Sequence, residues 1–202
     1  MSDARAGPEL TPPSSGCYSR LVVAGTVTQH KLVLLLSRQE IGEVVRRLAA
    51  EIDRDYAGRE LLLVVILRGA FVFAADLVRE MRTPVRVDFV RISSYPTGTV
   101  TTGGPRVVTG VRREEVRGRD VLLVEDILDT GLSVDRLLKY LRRMGPASLR
   151  VCALLDKPSR RRVDVPLHYR GTTVPDRFLV GYGLDMDQRC RNLSDIYWVQ
   201  ES

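Results

Sequence analysis

The sequence predicts an α/β fold, a mainly parallel twisted sheet with helices on both faces. Three observations carry that prediction. The runs ELLLVVIL (60–67) and SLRVCALL (148–155) are continuous and apolar, as strands covered on both faces should be. Segments with apolar residues at helical spacing alternate with the strands. Short breaks, Arg68–Ala70 and Gly145–Pro146, punctuate the alternation. At 202 residues the chain has room for one domain with a sizeable core, and we expect it over 17–202.

The elements follow in order. The leader 1–16 is polar and Pro-rich, has no apolar h-region, and is expected to be disordered. LVVAGTVTQHKLVLL (21–35) reads as one or two strands. Ser37 and Glu40 form a capping-box pattern, and Ile41, Val44, Val45, Leu48 and Ile52 recur behind it at helical spacing. After the 60–67 strand, Phe71, Ala74, Leu77, Val78 and Met81 predict a second helix. VRVDFVRIS (85–93) alternates like a strand. The Gly/Thr/Pro-rich segment 94–105 lies between flanks that could pair, and is a candidate mobile flap. Strand 120–125, loop 126–132 and a helix from about Ser133 to Met144 come next. Strands at 148–155, 178–185 and 196–200 complete the chain.

Bulk properties exclude little. Hydrophobic content is 44% and charged content 28%, with a net charge of +6. A basic balance suits phosphate-bearing ligands or nucleic acid without choosing between them. Cys17, Cys152 and Cys190 are too few and too scattered for a disulfide framework or a metal-ligand spacing, and imply a reducing, cytoplasmic setting. No apolar run approaches the roughly 20 residues that span a bilayer.

The chemistry concentrates in VLLVEDILDTGLS (121–133). An apolar strand runs into Glu125 and Asp126, then Asp129, then Thr130, Gly131, Leu132 and Ser133 ahead of a helix. Unpaired N–H groups and the dipole at a helix start favour an anion, two hydroxyls add donors, and Gly131 permits close approach. A phosphate is the natural guest, although the Walker and dinucleotide glycine patterns are both absent. Adjacent carboxylates at a strand end suit vicinal sugar hydroxyls or a hard cation, so a ribose phosphate with Mg²⁺ fits. Asp129 stands where it could take a proton from a group on the anomeric side. In an open α/β sheet such ligands lie beyond the carboxyl ends of the strands, where Arg68, Glu125, Asp126, Lys157 and Asp185 would gather. The bland alternative is a turn with solvated acids and Ser133 as the helix cap.

This stretch resembles the phosphoribosyl-pyrophosphate motif of the type I phosphoribosyltransferases. The remainder, over roughly 37–200, is similar to the hypoxanthine-guanine (6-oxopurine) branch. LRGA (67–70) resembles its pyrophosphate loop, SSYPTG (93–98) the start of its flap, and LLDKPSRR (154–161) its purine-reading segment. PDRFLVGYGLDMDQRCRNL (175–193) resembles its base-stacking and metal-binding segment.

The resemblance implies a core sheet, a small hood lobe built from terminal segments, a mobile flap, and a homodimer or homotetramer. It implies Mg²⁺-dependent transfer of phosphoribosyl from phosphoribosyl pyrophosphate to hypoxanthine or guanine, with no nucleic acid or membrane as partner. Glu125 and Asp126 would engage the ribose hydroxyls and a Mg²⁺, and residues 129–133 the 5′-phosphate. Asp129 would act at purine N7. Lys157 would donate to O6, Phe178 would stack on the base, and the Leu179 backbone would contact its 2-position. Asp185, beside the base, would bind a second Mg²⁺. Arg68, Gly69, Arg191, Ser94 and Tyr95 would meet pyrophosphate, with the Arg68–Gly69 peptide expected cis. Two departures stand out: Arg68 replaces a common Lys, and Leu132 a commonly polar residue.

Within the fold, Asp129 argues against the adenine and orotate enzymes and the pyrimidine-operon regulator. The xanthine-guanine enzyme is the nearest alternative. A nucleic-acid-binding regulator, drawing on Lys157, Arg160, Arg161 and Arg162, is the alternative from another class.

Overall fold

A computed structural model describes residues 18–23, 26–93 and 106–200. The leader, Cys17, and the segment carrying Ser94 and Tyr95 lie outside the described residues.

Two sheets organise the chain. Six strands form the larger: β3 (Leu61–Leu67), β4 (Val85–Ser93), β5 (Arg106–Thr109), β6 (Asp120–Leu128), β7 (Ser148–Asp156) and β8 (Tyr169–Thr173). Their order is β5-β4-β3-β6-β7-β8, all parallel except β5, which returns antiparallel on β4. The pairing expected across the flap segment is therefore present at its flanks. The smaller sheet is antiparallel, in the order β1-β2-β10-β9. It comprises β1 (Tyr18–Val23), β2 (Thr26–Leu36), β9 (Leu179–Val180) and β10 (Ile196–Gln200).

Side-chain alternation along β3 builds two cores. Leu61, Leu63 and Val65 join one cluster with Ile41, Leu48, Ile52, Phe73 and Leu77. These come from α1 (Arg38–Asp55) and α2 (Phe71–Glu80). Leu62, Val64 and Ile66 join another with Val134, Leu137, Leu138 and Leu141 of α4 (Leu132–Arg142). A strand covered on both faces has no polar face to show, which is why β3 reads as unbroken apolar sequence.

A local signal explains the start of α1. Ser37 caps α1: the Glu40 amide donates to Ser37 Oγ at 3.3 Å, and the Ser37 amide to Glu40 Oε2 at 2.8 Å. Helix α2 is rotated from its predicted register, with Phe73 buried and Phe71 46% exposed. Three further predictions need correction. The 178–185 strand shrinks to Leu179–Val180, because Gly181, Tyr182 and Gly183 take positive φ and turn the chain. Strand β6 runs on to Leu128, so Glu125 and Asp126 lie within it. Helix α4 starts at Leu132 behind Gly131 (φ 83°), without a side-chain cap, so Ser133 is not the cap. The short helix α3 (Arg113–Val116) and strand β8 carried no signal strong enough to predict.

Ser37→Ala removes half of the capping box. It should cost about 1 kcal/mol and lower the melting temperature by about 2–4 °C, measured by circular dichroism. An unchanged melting temperature would show that the 2.7 Å bond from the Arg38 amide to Asp195 Oδ1 holds the helix start by itself.

Candidate active site

Strands β3 and β6 are neighbours, yet the chain leaves them toward opposite faces, into α2 and α4. Their carboxyl ends therefore part, and a crevice opens between them. A cavity of about 330 Å³ lies there, lined among others by Arg68, Gly69, Asp126, Asp129, Lys157, Phe178, Leu179, Asp185 and Arg191. A groove of about 1000 Å³ between α1 and α2 is larger, and it shares Arg191 with the crevice. It lacks Asp126, Asp129 and Lys157, so size does not locate the chemistry here.

Close backbone approach fixes the crevice. A Cβ on Gly69 would collide with Asp126 Oδ2, and one on Gly183 with the Gly69 carbonyl oxygen. The peptide before Arg68, Leu67–Arg68, is cis. The expected position, Arg68–Gly69, is thus off by one residue.

Adjacent positions on β6 serve different spaces. Asp126 lines the 330 Å³ cavity. Glu125 lines a concavity of about 70 Å³ with Asp129, Thr130, Gly131, Ser133 and Val134, at the uncapped start of α4. Leu132 presents its amide 3.5 Å from Thr130 Oγ1. Burial raises the proton affinity of Glu125 well above the ordinary carboxylate range, and the neighbouring Asp126 adds to the effect. Burial also raises Asp126, which is 7% exposed, against opposing hydrogen bonds from Glu125 and the Ile127 amide. Glu125 Oε2 is buried without a hydrogen-bond partner. An acid pair, Asp126 buried and Glu125 half-buried with an orphaned oxygen, fits sugar hydroxyls or a hard cation. Among the described residues no group of three or more His, Cys, Asp or Glu side chains could hold a metal ion.

The cations converge from elsewhere. Arg68 Nη1 donates to Gln188 Oε1 at 2.6 Å. Arg191 pairs with Asp185 Oδ1 at 2.7 Å, and the Gln188 amide donates to Asp185 Oδ2 at 2.8 Å. Gln188 went unnoticed in the sequence, where no pattern marks it; its backbone is left-handed at φ 64°. Lys157 is only 5% exposed and donates to the Arg177 carbonyl at 2.8 Å. Phe178, in contrast, is 56% exposed, so it is not a core residue but an open aromatic face on the cavity wall. Leu179, buried beside it, pairs with Trp198 across β9 and β10.

The basic run 157–162 is tied to the loop at 129–131. Beyond buried Lys157, Arg160 Nε lies 3.1 Å from Asp129 Oδ1. Arg161 pairs with Asp156 and donates to the Asp129 carbonyl at 3.0 Å. The Arg162 amide donates to the Thr130 carbonyl at 3.0 Å. Arg160, Arg161 and the Arg162 backbone thus buttress the loop at 129–131.

A family model for the phosphoribosyl transferase domain matches residues 35–187. The hypoxanthine phosphoribosyltransferase of Salmonella typhimurium is 43% identical over 82% of this chain and 93% of its own. The chain belongs to the phosphoribosyltransferase family. Among these phosphoribosyltransferases, the hypoxanthine-guanine phosphoribosyltransferase of Aquifex aeolicus is 44% identical over 85% of this chain and 96% of its own. A crystal structure of a Bacillus anthracis hypoxanthine-guanine phosphoribosyltransferase superposes with a TM-score of 0.77. Its identity is 39%, covering 83% of this chain and 96% of that one. The type I phosphoribosyltransferase fold expected from the sequence is the fold observed.

The acid pair yields a stability prediction. Glu125 has a raised folded-state proton affinity, so its ionisation opposes folding. That penalty is present at neutral pH and disappears as pH falls through the raised value toward the ordinary one. Glu125→Gln should therefore melt above the parent at pH 7.5, with the gap closing at acid pH. Calorimetry across pH checks this, and a constant or reversed gap contradicts it.

Proposed function

We propose that the chain transfers the 5-phosphoribosyl group of phosphoribosyl pyrophosphate to hypoxanthine or guanine, releasing pyrophosphate. The observation that carries the reading is the set of groups around one 330 Å³ cavity: buried Lys157, the open face of Phe178, and Asp129 at the boundary with the phosphate cradle. A base stacked on Phe178 can place its six-position toward Lys157 Nζ and its N7 toward Asp129. An ammonium is a donor only, so it favours a 6-oxo group and opposes the amino group of adenine.

The division of labour follows from position. The Thr130–Ser133 amides and hydroxyls hold the 5′-phosphate, and Glu125 and Asp126 take the ribose hydroxyls. Arg68, the Gly69 backbone and Arg191 receive pyrophosphate, exchanging Gln188 and Asp185 for it. The base attacks the anomeric carbon as the bond to pyrophosphate breaks, and the departing oxygen keeps the electron pair. Asp129 accepts the proton from N7, or holds it by a hydrogen bond, as the base gains positive character. Glu125 and Asp126 would hold one Mg²⁺ and Asp185 a second, and that metal supplies charge neutralisation for the leaving group. Leu179 sits with its backbone toward the 2-position. In the same reading Ser94 and Tyr95 belong to a flap that excludes water. The smaller sheet serves as the hood, and the enzyme works in the cytoplasm as a homodimer or homotetramer. No helix among the described residues is long and apolar enough to cross a membrane.

Mixing the protein with phosphoribosyl pyrophosphate, Mg²⁺ and each of hypoxanthine, guanine, xanthine and adenine tests the proposal by absorbance. Hypoxanthine and guanine should be consumed and adenine left untouched. No turnover with any base contradicts the enzyme reading, and xanthine turned over as fast as hypoxanthine points to the xanthine-guanine enzyme. Asp129→Asn should lower turnover by about 10²–10⁴-fold while leaving phosphoribosyl pyrophosphate binding nearly intact. Unchanged turnover would remove Asp129 from the chemistry.

A further inference from the structure

Asp129 follows β6 on a loop, and its carboxylate is weakly anchored. Its backbone is well held: Arg161 Nη1 donates to its carbonyl at 3.0 Å, and Arg162 and Val163 amides donate to the carbonyl of Thr130 at 3.0 and 3.4 Å. Arg161 is itself fixed by Asp156, a carboxylate only 2% exposed that also pairs with Arg170 at 3.0 Å. The Asp129 side chain has no such support. Its Oδ1 is buried without a hydrogen bond. Among the described residues its one close cationic contact is Arg160, with Nε at 3.1 Å. Those two atoms are near enough for Coulombic attraction, but their alignment falls short of a hydrogen bond.

Arg160 is placed to orient that carboxylate from behind. It ends the single 3-10 turn Pro158–Arg160, directly after Lys157. It is absent from the lining of the 330 Å³ cavity, whereas Asp129 lines it. Its Nη1 lies 3.5 Å from Asp176 Oδ1, and Lys157 Nζ lies 3.8 Å from the same oxygen. Asp176 is two residues before Phe178. One guanidinium thus links the acid at the proposed N7 position to the segment that carries the proposed stacking face, leaving the cavity clear for a base.

We propose that Arg160 is a positioning residue. It holds Asp129 Oδ1 outside the cavity so that the other oxygen is presented to the purine, and through Asp176 it keeps that acid in register with Phe178. The proposal rests on the assignment of Asp129 to the base. Arg160 lines neither the 330 Å³ cavity nor the concavity of the phosphate cradle, and it meets the cradle loop only through the Asp129 carboxylate, so the residue should act on the base half of the reaction.

The test is a double-mutant cycle with Arg160→Gln and Asp129→Asn, assayed with hypoxanthine at saturating phosphoribosyl pyrophosphate and Mg²⁺. Alone, Arg160→Gln should lower kcat/KM for hypoxanthine about two- to fivefold, the range of a partly exposed ion pair. The KM for phosphoribosyl pyrophosphate should stay unchanged. Arg160→Lys should recover most of the loss. In the Asp129→Asn background Arg160→Gln should have no further effect, because the charge it positions is gone. An equal loss in both backgrounds would mean a merely structural role and overturn the proposal, as would no loss in the parent. A parent that turns over no base would instead defeat the functional reading, so the two failures are distinguishable.

Discussion

The site depends on a contact with no side chain on one of its partners. Asp126 of β6 approaches the backbone of Gly69 so closely that any Cβ there would strike its carboxylate. The Gly69 carbonyl in turn presses on Gly183, which alone among residue types accepts both the crowding and φ 97° without strain. Two glycines and one aspartate thereby lock the end of β3, the end of β6 and the 181–191 turn together. Those three segments supply Arg68, the acid pair, and the Asp185–Arg191 pair. The sheet's switch point opens the crevice, and this packing sets how wide it is.

Electrostatics within that frame explain why the ligand-free arrangement is poised. Two adjacent acids are held where burial disfavours their charge, and one oxygen of Glu125 is unsatisfied. Across the crevice, Arg68 and Arg191 lean on Gln188 and Asp185. Groups fixed in advance lose little freedom when the ligand arrives, which is how preorganised sites gain most from charge. The same arrangement carries a stability penalty in the free protein, and the doubly covered β3 core offsets it.

Much of this was legible in the sequence, for identifiable reasons. β3 and β7 announce themselves because burial on both faces removes polar alternation. The Glu-Asp-x-x-Asp-Thr-Gly spacing places acids and cradle side by side whatever the tertiary detail. Other features depend on contacts remote in sequence. Tyr169 alone is buried in β8, whose other residues are polar or small, so no periodicity marks it as a strand. The Gly181–Gly183 turn broke a run that looked like a strand, because its positive φ values serve packing on Gly69 and Asp195. Arg160–Arg162 read as a basic cluster, and Lys157 read as a purine donor chiefly through the family resemblance. Nothing local tells that Lys157 is buried, or that Asp156 recruits Arg161 to hold the Asp129 loop. The cis peptide lies at Leu67–Arg68, one residue from its expected place.

The central claim is that the acid pair and the phosphate cradle together recognise one phosphoribosyl pyrophosphate. Thermal melting with phosphoribosyl pyrophosphate, in the presence and absence of Mg²⁺, tests it most directly. A ligand at 100 times its dissociation constant stabilises by about 2.7 kcal/mol, or roughly 5–11 °C for a chain of this size. The account predicts a rise of that order with Mg²⁺ for the parent, and its loss in Asp126→Asn. A rise of equal size from pyrophosphate alone, or one that survives Asp126→Asn, would contradict it.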